Sequence, residues 1–97
     1  MAKERFDSIW DAVAPTAVEA ESLRVRSELM RQLIDIIRGR GWEKVEAANR
    51  CGITMPHFDE LTAGRVAKFS VEALINIATA LKVKVHVQLH PTPLHGR

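Results

Sequence analysis

Apolar positions along this chain follow two different periods. From Phe6 to Leu81 they recur at helical spacing, and from Val83 to Leu89 they alternate. Phe6, Ile9, Trp10 and Val13 stand at i, i+3, i+4 and i+7, one face of a short helix that Pro15 breaks. Thr16 is placed to cap a long second helix. Its predicted inward stripe is Leu23, Met30, Leu33, Ile34 and Ile37, with Arg24, Arg31, Asp35 and Arg38 outside, and Gly39-Arg40-Gly41 stops it. Three shorter helical stretches follow. EKVEAANRC, residues 43–51, is expected to bury Val45, Ala48 and Cys51. After Gly52-Ile53, Thr54 caps the next stretch, and Pro56 sits in its first turn, where a missing N–H costs little. Phe58 and Leu61 point inward there, and Gly64 ends it. Ser70 then caps VEALINIATAL, with Val71, Leu74, Ile75, Ala78 and Leu81 as its apolar stripe.

In VKVHVQL, residues 83–89, Val83, Val85, Val87 and Leu89 point one way, and Lys84, His86 and Gln88, with His90 after them, the other. That alternation predicts a half-buried β-strand, and Pro91 and Pro93 end it ahead of a flexible tail over 91–97. A lone strand leaves its backbone N–H and C=O groups unpaired, and no second strand is evident. The economical partner is another copy of the chain, in an antiparallel ribbon about a two-fold axis; the alternative is an edge formed with the chain's own N-terminus.

Between about 43 and 64 the pattern has the marks of a helix-turn-helix. Ala48 is small where two helices cross, and Gly52 sits in the turn, where a positive φ is easy only for glycine. Ile53, Phe58 and Leu61 supply the apolar contacts that fix the angle between the helices. A long helix before and a capped one after make the expectation a mostly α, five-helix domain over residues 1–90, with a C-terminal strand that pairs across a homodimer.

Composition narrows the possibilities. Ninety-seven residues make one small domain, which buries only about 60–68% of its unfolded surface and gains from a dimer partner. The net charge of +2 and a pI near 9.0 are mildly basic. Between Trp42 and Phe69 the bases Lys44, Arg50, Arg65 and Lys68 are cancelled by Glu43, Glu46, Asp59 and Glu60. Any affinity for DNA must therefore come from placement and from doubling in a dimer. No run of 18 apolar residues predicts a membrane span, and the N-terminus has no apolar run of signal-peptide length, so a cytoplasmic protein is expected. The lone Cys51 excludes an internal disulfide. His86 and His90 lie about 13 Å apart at normal strand rise, too far to share one ion. Asp59 and Glu60 are adjacent on a helix and point in different directions, and no nucleophile elbow, H-E-x-x-H or phosphate-cradling loop is present. No enzyme, cofactor, metal or small-molecule substrate is expected.

The stretches FDSIWDAV, LRVRSELM and GWEKVEAANRCGITMPHFDELTAGRVAKFSVEALINIATALKVKVHV resemble the XRE-type, lambda-repressor-like helix-turn-helix family of HigA-like antitoxins. The resemblance runs from about residue 6 to 89, and its more specific features are F-D-S-I-W-D-A, R-S-E-L and G-x-x-x-x-F-S-x-[ED]-A-L. It implies a dimer that binds operator double-stranded DNA at its own promoter as a transcriptional repressor, paired with a RelE-like toxin. Two departures stand out. Where the family commonly reads W-T-Q, this chain has Trp42-Glu43-Lys44; where it reads V-T-Q-P-R-V-S-D-L, this chain runs from Ile53 to Leu61 with Met55, His57 and Asp59 in place of the glutamine, arginine and serine. The usual bidentate base readers are missing.

The expected DNA contacts are Lys44, Thr54, Met55, His57, Asp59, Arg65 and Lys68. Met55 can pack on a thymine methyl, His57 can donate to a purine N7 or a phosphate, and Asp59 can accept from a cytosine amino group. The amide groups behind Thr54 favour a phosphate, while Lys44, Arg65 and Lys68 grip the backbone. Phe6, Ile9, Trp10 and Val13 either dock a protein partner or cover the domain's own core. The alternative function is a dimeric protein-interaction module that neutralises a RelE-like toxin or another partner, with weak or lost DNA binding.

Overall fold

The computed structural model describes residues 16–92. Helix α1 spans Ala17–Arg40, α2 Lys44–Cys51, α3 Met55–Thr62 and α4 Val71–Ala80, with a 3-10 turn at Val66–Lys68. Local sequence explains most of these limits. Thr16 and Glu19 form a reciprocal capping box: the Thr16 hydroxyl accepts from the Glu19 N–H at 3.0 Å, and Glu19 Oε1 accepts from the Thr16 N–H at 3.2 Å. Gly41 ends α1 in the left-handed region at φ 69°. Ser70 caps α4 by accepting from the Ala73 N–H at 3.0 Å. Along the exposed side of α1, Arg24 pairs with Glu21, and Arg31 with Glu28 and Asp35. Such exposed pairs support a helix only slightly.

One core joins all four helices. Met30, Leu33 and Ile37 of α1 meet Ala47, Ala48 and Cys51 of α2, Phe58 and Leu61 of α3, then Phe69, and Leu74, Ile77, Ala78 and Leu81 around α4. Ala48 and Cys51 in α2, and Leu74, Ala78 and Leu81 around α4, are buried as expected, but each helix differs at one apolar position. In α2 Val45 is 59% exposed and Ala47 takes its place inside; in α4 Ile77 is buried and Ile75 is not. Residues two apart lie about 200° apart on a helix, so burying one turns the other out. Leu23, also expected inside, is 41% exposed. The predicted helix around Phe6–Val13 and the tail beyond Thr92 lie outside the described residues.

The segment after α4 departs from the expected strand. Lys82 takes a positive φ of 66°, the Val83 N–H donates to the Ala78 carbonyl at 2.9 Å, and no strand forms among the described residues. Val83 and Val85 pack against the core, whereas Val87 and Leu89 stand 73% and 90% exposed. The alternation is present, but only its first half finds apolar cover among the described residues. A strand requires a second strand to bond to, and none is present among the described residues.

Cys51 lies in the core, and burial pushes its thiol pKa up. The reactive thiolate is therefore scarce. Alkylation of the native protein, followed by mass spectrometry, should be far slower than alkylation of the urea-unfolded chain. Equal rates would show that the α2–α4 contact opens freely.

Candidate nucleic-acid interface

Helices α2 and α3 and the turn between them form the helix-turn-helix. Gly52 ends α2 at φ 74°, and its N–H reaches the Ala48 and Asn49 carbonyls. A Cβ at this position would meet only the Ala80 methyl, at 3.9 Å, so the backbone conformation rather than space asks for glycine. The Ile53 N–H also returns to the Ala48 carbonyl, at 3.1 Å, and closes the turn. Thr54 then caps α3 by accepting from the His57 N–H at 3.3 Å. Phe58 and Leu61 anchor α3 to the core, which leaves Pro56, Asp59 and Ala63 exposed.

The expected contact residues divide into groups. Asp59 accepts an ion pair from Lys44 at 2.8 Å, with both side chains 54% exposed. The contact joins the start of α2 to the middle of α3 and answers the charge that Asp59 would otherwise turn on a phosphate. His57 is stacked on Phe69, ring centroids 4.2 Å apart and planes 14° from parallel, and its Nδ1 lies 2.9 Å from Glu60 Oε1. With Nδ1–H given to that carboxylate, neutral His57 has only an acceptor at Nε2. A contact in which His57 donates, to a purine N7 or a phosphate, therefore requires the protonated ring. Met55 is half-buried against the core, so less of it is displayed than a free groove-reading side chain would show. Arg65 and Lys68 are exposed around the 3-10 turn and make no ion pair among the described residues.

Three features escaped the sequence. Phe69 is a platform for His57 twelve residues away, a contact that no local spacing encodes. The Glu60 partnership was accessible, since i and i+3 are neighbours on a helix. Trp42 carries the Arg40 and Arg50 guanidinium groups at 5.3 and 5.0 Å from its ring centroid, and Arg50 also pairs with Glu46 at 3.0 Å.

An exposed pair such as Lys44–Asp59 contributes little net stability, so a phosphate can draw Lys44 away at small cost. Asp59→Ser should free Lys44 and tighten DNA binding. The log–log salt dependence should steepen by about 0.9 per protomer, the value of one added phosphate contact. Unchanged or weaker affinity would show that Asp59 is neutral or accepts from a base.

A family model described as a helix-turn-helix domain matches residues 14–90. No curated protein matches the chain, and no solved structure does. Among the described residues no helix is long and apolar enough to cross a membrane. The match points to DNA as the partner class and to regulation as the role, and it does not single out antitoxins among helix-turn-helix proteins.

Proposed function

We propose, for a chain that belongs to the helix-turn-helix domain family, a cytoplasmic, sequence-specific transcriptional repressor that works as a homodimer. The observation that carries this reading is the bracketing of α3 by cations. Lys44 borders the helix through Asp59, and the turn bearing Arg65 and Lys68 borders it through Phe69 and His57. On this reading the cations and the Thr54 end of α3 hold phosphates, while Met55, His57 and Asp59 meet base edges in the major groove. The contacts are binding contacts, with no catalytic step and no cofactor.

The dimer reading rests on the extended segment after α4. Val87 and Leu89 are exposed, and the backbone around them has no strand partner among the described residues. Antiparallel pairing of two copies through Val83, Val85, Val87 and Leu89 would give both a partner. Two α3 helices would then read half-sites about 34–36 Å apart, and occupancy would block the promoter. Pairing with a RelE-like toxin follows from the resemblance to HigA-like antitoxins alone, and the Phe6, Ile9, Trp10 and Val13 face proposed to dock it lies outside the described residues. The second reading, a protein-binding dimer with little DNA affinity, is favoured by one observation: the exposed positions of α3 include Asp59 and no lysine or arginine.

Hydroxyl-radical footprinting on the DNA upstream of the coding sequence separates the two. The repressor reading expects two protected patches one helical turn apart. Uniform cleavage at saturating protein would support the protein-binding module instead.

A further inference from the structure

We infer that Arg26 is a positioning residue of this interface, the brace that holds the turn after α3 against α1 and so sets the His57 ring. The R-S-E-L segment that begins at Arg26 lies on α1, away from the helix-turn-helix, and no contact with DNA is assigned to it. Arg26 is partly buried and forms no ion pair with any described residue. Its guanidinium instead donates to three backbone carbonyls: Nε to Ser22 of its own helix, and Nη1 to both Val66 and Phe69, each at 3.3 Å.

Those last two carbonyls mark the ends of the turn. Within it the Val66 N–H reaches Gly64, the Lys68 N–H reaches Arg65 and the Phe69 N–H reaches Val66, so its own bonds tie it together but not to the long helix. The Phe69 carbonyl takes no backbone hydrogen bond among the described residues, and Arg26 is its donor. A continuous chain of contacts results. Arg26 fixes the Phe69 backbone, the Phe69 ring stacks on a face of His57, and Glu60 holds the His57 edge at Nδ1. Arg65 and Lys68 ride on the same braced segment. A cation bonded to carbonyl dipoles is an expensive group to leave half-satisfied, so the turn has one favoured seat on α1. Arginine suits the task, because lysine lacks the Nε–H that steadies the side chain on Ser22.

The consequence for DNA rests on the repressor reading; the brace itself does not. The test is Arg26→Gln in the full chain, followed by proton NMR of the His57 ring and by binding to upstream duplex DNA. In the wild type, stacking under Phe69 should hold the His57 ring protons upfield of a solvated histidine, with His57→Ala assigning them among the four histidines. Arg26→Gln should move them towards the solvated position at unchanged helical circular dichroism. It should also weaken DNA binding about tenfold, the size of one charge-assisted hydrogen bond. If that variant fails to fold, Arg26→Lys, which keeps the charge and loses the Ser22 bond, is read the same way with a smaller shift. An unmoved His57 resonance would overturn the brace. A moved resonance with unchanged affinity would overturn its role in the interface. A wild type that binds no DNA would sink the repressor reading instead, and the His57 shift would still judge Arg26.

Discussion

Phe69→Ala is expected to destabilise the domain by about 3–5 kcal/mol, the usual cost of emptying a buried aromatic site. Phe69 is 1% exposed and belongs to the core that joins α1, α3 and α4. A domain of this size holds only about 5–15 kcal/mol in total, so the variant should lose a large share of its stability. The loss has two parts. One is the cavity beneath the Val66–Lys68 turn, and the other is the stack on His57, worth a further fraction of the total. Phe69→Leu separates them, because it restores most of the volume and should cost only about 1 kcal/mol while still releasing His57. Urea unfolding at a fixed chain concentration measures both, the concentration being held because a dimer's stability depends on it. A cost below about 1 kcal/mol for Phe69→Ala would mean that the site collapses around the gap, and that the packing of this turn is looser than its burial indicates.

Removing Arg65 and Lys68 together is expected to have the largest effect on DNA binding. Both side chains are exposed beside α3, and neither is neutralised by a carboxylate among the described residues. Each phosphate contact contributes about 0.9 to the slope of log K against log salt, so a dimer losing four of them should show a slope shallower by roughly 3–4. At moderate salt this corresponds to a loss of roughly two to three orders of magnitude in affinity. Because phosphates carry no sequence, the ratio between operator and scrambled DNA should stay the same. Anisotropy titrations of Arg65→Ala/Lys68→Ala at several salt concentrations measure slope and ratio together. A changed ratio with an unchanged slope would place these residues on base edges and shift the interface away from α3.

The helix ends were legible in the sequence because their causes are local. Thr16, Thr54 and Ser70 each cap through a side chain that answers an amide three residues on, and Gly41 and Gly52 stop helices through conformations few other residues adopt. Facing was less legible. Val45 and Ala47 are both apolar, and only the packing of α2 in the fold decides that the smaller one goes inside. The site was read at the level of position and missed at the level of state. Asp59 was read as an acceptor from a base, yet Lys44, fifteen residues earlier, meets it once α2 and α3 cross. His57 was read as a donor to DNA, yet Phe69 and Glu60 hold it. Arg26 resembled the other arginines of a long charged helix, and only the carbonyls of a turn forty residues away distinguish it. For the segment from Val83 to Leu89 the alternation was visible and the outcome was not, since strand pairing depends on what lies beside it.

On the repressor reading, α3 and its flanking cations read DNA despite an outward face with no arginine or lysine. Fluorescence anisotropy of the wild-type protein on its own upstream DNA and on a scrambled duplex, at a low and a moderate salt concentration, tests it most directly. Binding to the upstream DNA should be tighter at both concentrations, with the preference retained as the affinity falls. Equal, salt-labile binding to the two duplexes, or no binding to either, would contradict that reading.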